Sequence, residues 1–133
     1  MKAILYFDGA SKGNPGPAGW GYILYLEDGG KVTGYGSLGT ATNNQAEYRG
    51  LIEGLKKALE LGVEKVIVKG DSQLVVEQMK GNYRVKNPNI RPLYEDAIKT
   101  AHVFKKVVFA HIPREKNKIA DRLANKGAEL PEE

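Results

Sequence analysis

Residues 42–71 of the chain, TNNQAEYRGLIEGLKKALELGVEKVIVKGD, contain the segments from which its fold can be predicted. Apolar side chains recur at helical spacing from a cap at Thr42 or Asn43 to about Leu61. Lys65 to Gly70 then has the short, β-branched composition of a strand. A helix leading into such a strand is the usual crossover between parallel strands. The segment therefore predicts an α/β sheet that contains parallel strands.

Three strand-like segments precede this helix. They are Lys2 to Asp8, Gly19 to Leu26 and Lys31 to Gly39. The turn-rich residues 9–17 separate the first two, and residues 28–30, Asp-Gly-Gly, are typical of a hairpin turn. Because short turns join neighbouring antiparallel strands, we expect these three to form a meander.

Four further elements follow the strand that ends at Gly70. They are predicted to be a helix over 72–79, a helix over 90–101, a strand over 106–112 and a last helix from an Asn117 cap to Lys126, stopped by Gly127. The order βββαβααβα predicts an α/β fold, with a five-stranded mixed sheet and helices on its faces.

The 133-residue chain has the length of one domain. We expect residues 1–129 to form it and residues 130–133 to be a short C-terminal tail. The lack of cysteine excludes disulfides, cysteine-rich zinc sites and thiol nucleophiles. Because the chain has two histidines, His102 and His111, a metal site would depend on carboxylates, which favours magnesium or manganese over zinc.

The sequence contains no segment typical of a membrane protein. No apolar run approaches the roughly 20 residues that a membrane-spanning helix needs. The apolar run at residues 3–7 is too short for a signal peptide before Asp8 interrupts it. We expect a cytoplasmic protein without a membrane partner, and we expect a monomer.

Positive charge is concentrated in one part of the chain. Residues 80–126 carry twelve Lys or Arg against four Asp or Glu, whereas the rest has eight against twelve. Such asymmetry favours contact with a polyanion. A solvated surface rich in lysine explains the charge equally well.

Four acidic residues occur where strand and helix ends are predicted to meet. Asp8 ends the first strand and Asp71 follows the fourth, while Glu47 and Asp121 lie near the starts of the first and last helices. In a mixed α/β sheet these ends converge on one crevice. Four carboxylates there would repel one another, and a divalent cation such as Mg²⁺ would turn them into a binding site. Taken singly, the same acids are typical of helix starts and turns.

Four segments around these acids resemble the motifs of type 1 ribonuclease H. Residues 8–19, DGASKGNPGPAG, are similar to its first-strand motif, and residues 42–47, TNNQAE, to its first-helix motif. Residues 71–73 and 117–124 are similar to its third and fourth motifs. The four occur in the family's order, and the resemblance covers nearly the whole chain. It implies a ribonuclease H-like fold.

The resemblance also implies a function. Members of the family are metal-dependent endonucleases that hydrolyse the RNA strand of RNA–DNA hybrids and leave 5′-phosphate and 3′-hydroxyl ends. The implied catalytic residues, which are also the implied ligands of two Mg²⁺ ions that Mn²⁺ can replace, are Asp8, Glu47, Asp71 and Asp121. Asp8 is the acid expected to bridge both ions. Two such ions roughly 4 Å apart activate a water and stabilise the leaving oxygen.

Residues that contact the hybrid are implied as well. The wide minor groove of a hybrid displays 2′-hydroxyls, which small amides and backbone groups can reach. The groove contacts expected from position are Gly13, Asn14, Asn44 and Gln73. Thr42 is expected to contact a phosphate of the DNA strand. Asn14 and Asn44 are also consistent with forming turns or caps only.

The chain departs from the family pattern before its last helix. Many bacterial members carry a histidine in that loop, thought to assist metal exchange or product release, but residues 113–116 contain none. His111 precedes the loop, at the predicted end of the fifth strand. We expect Arg114 or Glu115 to substitute, or the step to proceed unaided.

A second departure concerns substrate affinity. The basic protrusion of some members is reduced here to the connection of residues 81–91. We therefore expect hybrid binding to be weak and steeply salt-dependent. Two alternatives stay open: a nuclease whose main substrate is double-stranded RNA or an RNA–DNA junction, and a nucleic-acid-binding module without turnover. The presence of all four acids argues against the second.

Overall fold

The computed structural model describes residues 1–131 of the chain. In chain order its elements are β1 (Lys2–Ser11), β2 (Gly16–Leu26), β3 (Lys31–Ala41), α1 (Asn43–Glu60), β4 (Lys65–Gly70), α2 (Gln73–Met79), α3 (Arg91–Ala101), β5 (Lys106–His111) and α4 (Lys118–Ala128), with a 3₁₀ turn at Arg114–Lys116 before α4. The predicted order βββαβααβα is confirmed. None of the helices within this range is long and apolar enough to cross a membrane.

The five strands form one mixed sheet in the order β3-β2-β1-β4-β5. The pairs β1–β2 and β2–β3 are antiparallel. β4 pairs in parallel with both β1 and β5. The predicted meander and crossover are therefore both present, and the carboxyl ends of three parallel strands share one edge of the sheet.

Helix α1 is positioned by its cap and by its apolar face. The Thr42 hydroxyl accepts the N–H of Gln45 at 3.2 Å, and Gln45 Oε1 accepts the N–H of Thr42 at 2.8 Å. This reciprocal pair satisfies two backbone donors that the helix itself leaves unpaired. The buried face of α1 packs in the main core with Leu5, Phe7 and Val68 of the sheet. A cap and an amphipathic pattern thus fix where α1 begins and which side faces β1.

Glycines allow helices to approach both faces of the sheet closely. A Cβ on Gly9 would lie 2.2 Å from the carbonyl carbon of Ala46 in α1. A Cβ on Gly21, which pairs with Asp8, would lie 2.6 Å from the backbone nitrogen of Ala124 in α4. Because neighbouring strand residues point to opposite faces, α1 and α4 cover opposite sides of β1 around Asp8.

Strands β1 and β2 extend further than the sequence predicted. Their ladder continues past Asp8 until Ser11 pairs with Ala18. Asp8 therefore lies inside β1 and not at its end, and the predicted turn at residues 9–17 is confined to residues 12–15. Gly9, the first glycine of the predicted turn, is required instead by the close approach of α1.

The end of α4 also differs from the prediction. The sequence predicts that Gly127 stops the helix after Lys126, but α4 continues to Ala128. A Cβ on Gly127 would lie 2.3 Å from the carbonyl oxygen of Gly36 in β3. Gly127 is thus a packing contact between helix and sheet.

The predicted domain boundary falls just after α4. The N–H of Leu130 donates to the carbonyl of Gly127 at 3.2 Å, so the first residue of the predicted tail still contacts the helix end. Glu132 and Glu133 lie outside the described residues. The division into a domain of residues 1–129 and a tail of residues 130–133 stays a prediction.

Candidate metal centre

Three of the four predicted acids meet in a cleft at the edge of the sheet. Asp8, Glu47 and Asp71 each contribute a carboxylate oxygen to a group in which these atoms lie within 4.8 Å of one another. Asp8 is 4% exposed and Glu47 is 5% exposed, whereas Asp71 is half-buried. An acidic group this compact is costly unless protons or a cation neutralise it.

The sheet register and a glycine bring these acids together. β1 and β4 pair in parallel with Tyr6 opposite Lys69, so two residues further along Asp8 is next to Asp71. Glu47 comes from the early turns of α1, and its backbone nitrogen would lie 2.2 Å from a Cβ on Gly9. The lack of a side chain at Gly9 therefore allows Glu47 to reach Asp8.

Asp121 lies at the rim of the same cleft. It comes from the first turn of α4 and lines, together with the three clustered acids, a cleft of about 400 Å³. Its charge raises the pKa values of Asp8 and Asp71. Asp121 is not one of the three acids whose oxygens lie within 4.8 Å of each other. The structure thus brings all four acids to one cleft and clusters three.

Burial is the main reason why the two inner acids resist ionisation. Burial, together with the charge of Asp71, raises the pKa of Asp8 to about 7, while hydrogen bonds with Glu47 and with the N–H of Gly9, 2.9 Å from Asp8 Oδ1, lower it in part. Burial and the charge of Asp8 raise the pKa of Glu47 well above its usual range. Without a cation, this pair retains a proton near neutral pH.

The chemistry of the donor set fits a divalent cation. Glu47 Oε2 is buried and has no hydrogen-bond partner among the described residues. Hard cations such as Mg²⁺ and Mn²⁺ prefer carboxylate oxygens. A cation in the cleft would give the orphaned oxygen a partner and neutralise the like charges.

Asn117 has a role that the sequence did not reveal. The sequence predicts that it caps α4, but its side chain makes no capping hydrogen bond. Its Nδ2 instead donates to the carbonyl oxygen of Phe7 at 2.9 Å, and the residue is 1% exposed. Burial raises the pKa of Asp71, and a hydrogen bond from Asn117 lowers it in part. Asn117 therefore ties α4 to the backbone next to Asp8 and contacts Asp71.

The residues considered in place of the family's loop histidine lie in different parts of the structure. Arg114 lines the cleft, and its charge lowers the pKa of Asp71, against the larger effect of burial. Glu115 lines a separate groove with Tyr6 and residues 23 and 25. His111 is exposed, and its Nε2 lies 3.2 Å from the carbonyl oxygen of Asp71. Because β4 and β5 are parallel, their carboxyl ends lie at the same edge of the sheet, and this pairing is the feature that indicates a position for His111 beside the acids.

The residues predicted to contact nucleic acid differ in whether they line the cleft. Asn14 Oδ1 accepts the N–H of Asn43 at 3.0 Å, which ties the β1–β2 turn to the start of α1. Asn43 and Asn44 line the cleft. Gln73 is exposed outside that lining, with its Nε2 3.5 Å from the Tyr83 hydroxyl.

The two other predicted contacts have backbone roles of their own. Gly13 is exposed in the turn after β1 and has a φ of 141°, a conformation that favours glycine. Thr42 is engaged in the cap of α1 through its hydroxyl.

A further hydrogen-bonded chain reaches Asp121. Asn125 Nδ2 donates to the carbonyl oxygen of Asp121 at 2.9 Å and lies 3.3 Å from Asp121 Oδ1. Lys12 Nζ donates to Asn125 Oδ1 at 2.9 Å. The turn after β1 is thus linked through Asn125 to Asp121 of α4, and the Lys12–Asn125 hydrogen bond joins residues 113 positions apart in sequence.

Comparisons with known proteins agree on one family. A profile of the reverse transcriptase-like family matches residues 6–127. A bifunctional protein of Mycobacterium tuberculosis is 46% identical over 127 residues, which cover 94% of this chain and 35% of that protein. Ribonuclease HI of Halobacterium salinarum is 45% identical over 121 residues, 90% of this chain and 61% of that protein. The chain therefore spans about a third of the first relative and about three-fifths of the second.

Solved structures share the fold. The N-terminal RNase H domain of the mycobacterial protein matches with a TM-score of 0.93 at 44% identity, covering 97% of this chain and 100% of that one. LC11-RNase H1, isolated from compost and solved in complex with an RNA/DNA hybrid, matches with a TM-score of 0.88 at 38% identity, covering 95% and 96%. The five-stranded mixed sheet with flanking helices is thus the fold of RNase H1 structures.

The pKa of Asp8 predicts how stability depends on pH in the metal-free protein. Its folded-state pKa of about 7 exceeds the unfolded value near 4, so ionisation opposes folding: the penalty is absent below about pH 4 and complete above about pH 7. Asp8→Asn should raise the free energy of unfolding by about 2–4 kcal/mol at about pH 8 and change it little at about pH 4. Urea unfolding in the presence of a chelator measures this.

The control for this prediction is Asn89→Ala, at an exposed position. Because neither side chain ionises, it should shift the unfolding free energy equally at both pH values. A pH-independent effect of Asp8→Asn would contradict the account of Asp8.

Removing the Asn117 side chain should affect both folding and cation binding. Asn117→Ala leaves the buried carbonyl of Phe7 without its partner and is expected to lower the unfolding free energy by about 1–3 kcal/mol. Because Asn117 also contacts Asp71, the affinity for Mn²⁺ should fall by about tenfold or more. Urea unfolding and calorimetric Mn²⁺ titration measure the two effects. Asn89→Ala, at an exposed position, serves as control, and an unchanged Mn²⁺ affinity in folded Asn117→Ala would refute the positioning role.

Proposed function

This chain belongs to the type 1 ribonuclease H family, and we propose that it hydrolyses the RNA strand of RNA–DNA hybrids with the help of divalent cations. The observation that carries the proposal is the compact group of Asp8, Glu47 and Asp71, with an unpartnered buried oxygen on Glu47. The named ribonuclease relatives and the hybrid-bound RNase H1 support the substrate class.

We propose that the catalytic residues are the four acids that hold the cations, namely Asp8, Glu47, Asp71 and Asp121. Two Mg²⁺ ions, or Mn²⁺ in their place, would supply Lewis-acid activation of the attacking water and stabilise charge on the leaving oxygen. Asp8 hydrogen-bonds with Glu47, and the charges of Asp71 and Asp121 both raise its pKa, which supports it as the acid shared by both ions. Asp121 at the rim is suited to a ligand position open to solvent and substrate.

The proposed reaction is an in-line displacement at phosphorus. The water oxygen forms a bond to phosphorus while the bond from phosphorus to the 3′ oxygen breaks, and a proton passes to the departing 3′ oxygen. The products are a 5′-phosphate and a 3′-hydroxyl. Arg114 at the cleft and exposed His111 beside Asp71 are placed to contact phosphate oxygens during this step.

Strand selectivity would come from the polar residues around the cleft. The hydrogen bond from Asn43 to Asn14 holds the turn after β1 against α1, so Gly13, Asn14 and Asn44 can present small polar groups to 2′-hydroxyls together. Gln73 would contact the groove from the start of α2, and Thr42 a phosphate of the DNA strand. The RNA strand would therefore be recognised by its 2′-hydroxyls and shape.

Cleavage of a labelled hybrid tests the proposal. An RNA–DNA hybrid labelled at the 5′ end of each strand in turn should be cut in the RNA strand only, with Mg²⁺ or Mn²⁺ and at low salt. Asp71→Asn should reduce the rate by about a hundredfold or more, the scale of losing one group that stabilises transition-state charge. A chelator should abolish cutting, whereas Asp28→Asn should cut at the wild-type rate.

Duplex RNA and duplex DNA complete the experiment. Faster cutting of duplex RNA than of the hybrid would replace the proposed substrate with double-stranded RNA. Binding of the hybrid without cutting of any duplex would show a binding module and overturn the proposal.

A further inference from the structure

The outer face of β4 and β5 is bare on the side away from the core. Parallel strands are normally covered on both faces, and β1, β4 and β5 are parallel neighbours. On this side α4 packs against β1, β2 and β3. Lys65 and Ile67 of β4 are exposed and alternate with buried Val66 and Val68. A central strand of the sheet therefore has one uncovered face.

Lysines and aliphatic residues form two rows across this face. Lys2, Lys65 and Lys106 are direct register partners on three adjacent strands. Two residues further along each strand, a second row of direct register partners consists of Ile4, Ile67 and Val108. We call the two rows together the lysine face, which consists of Lys2, Lys65, Lys106, Ile4, Ile67 and Val108.

The lysine row is unfavourable in the free protein. Like charges directly opposite on neighbouring strands destabilise a sheet. None of the three lysines forms an ion pair with a carboxylate of residues 1–131. The nearby Glu27 accepts the backbone N–H of Lys2 at 3.0 Å. The cationic row thus lacks a matching row of carboxylates within the described chain.

The aliphatic row forms part of a groove. The two rows line it together with Tyr25, Leu26 and Glu27, and its volume is about 490 Å³, larger than the acidic cleft. Ile67 is 41% exposed and Val108 is 43% exposed. Neighbouring exposed aliphatic side chains of this kind are typical of interaction surfaces.

We propose that the lysine face docks an acidic peptide segment of a partner protein, one that carries aliphatic anchor side chains between its carboxylates. The carboxylates would pair with the lysine row, and the anchors would fill the groove over Ile67 and Val108. Charge complementarity of this kind sets orientation and association rate, while the buried apolar contacts supply affinity.

The composition of the groove disfavours the other occupants. A single-stranded nucleic acid would need open aromatic faces for stacking, but the Tyr6 and Tyr25 rings pack edge to face at 5.7 Å, and each has a lysine over it. A duplex would bind through its phosphates, which would leave the aliphatic row of the groove without a partner. A second copy of this chain, docked by twofold symmetry, would set lysines against lysines. An acidic, aliphatic peptide satisfies both rows.

The docked segment would leave the acidic cleft open. Lys2 precedes Asp8 by six residues of β1, roughly 20 Å at about 3.3 Å per residue. The inference is independent of the proposed hydrolysis, since it concerns the opposite end of the sheet. A partner bound there could hold the protein near its substrate without blocking the cleft.

A binding titration with defined probes tests the proposal. The probe is a short fluorescein-labelled peptide of alternating aspartate and leucine, followed by anisotropy and by amide chemical shifts. We expect saturable binding with shift changes in β4 and β5. Replacing leucine by serine in the peptide, or Lys65→Glu or Ile67→Ser in the protein, should each weaken binding by about tenfold or more.

Controls separate this inference from loss of fold and from other ligands. Lys99→Glu, an exposed lysine of α3, should bind the peptide like wild type, and both lysine-face variants should keep the wild-type unfolding midpoint within a few degrees. No saturable binding, or equal binding by Lys65→Glu and wild type, would overturn the proposal. Single-stranded oligothymidylate binding more tightly than the peptide, and losing affinity with Lys65→Glu, would also overturn it in favour of nucleic acid.

Discussion

The repulsion among three carboxylates in one partly buried cleft is the constraint on which the rest of the structure depends. Asp8, Glu47 and Asp71 each present an oxygen within 4.8 Å of the others, and burial raises the pKa values of all three. Such a group opposes folding when it is ionised. The cluster is maintained because the free energy gained by packing the surrounding core exceeds the cost of the repulsion. The cluster becomes favourable only when a proton or a cation neutralises its charge.

Close contacts between backbones hold this cleft in place. Gly9 and Gly21 let α1 and α4 approach opposite faces of β1 at Asp8. Asn117 then ties the start of α4 to the carbonyl of Phe7. Asp8 and Glu47 are therefore carried by a packed strand and a packed helix, and Asp71 directly follows the packed strand β4. This is the support that a cation site of defined geometry requires.

Much of the fold and the candidate acids could be predicted from sequence because their signals are local. The spacing of apolar residues gave the element order, the capping box gave the start of α1, and the four acids stood beside strand and helix ends. The rest depends on contacts between distant segments. Gly9, which serves the packing of α1, is instead predicted from sequence to begin a turn, and the partner of Asn117 lies 110 residues away. The place of His111 beside Asp71 required the register of β5 against β4.

The most direct test of the central claim is the number of protons released when the cleft binds a cation. Calorimetric titration of the protein with Mn²⁺ near pH 7, in buffers of different ionisation enthalpy, measures that number. Because burial keeps a proton on the Asp8 and Glu47 pair, we expect release of about one proton and a binding enthalpy that varies with the buffer. A binding enthalpy that is the same in every buffer would contradict the account, since the acids would then be fully ionised before the cation arrives.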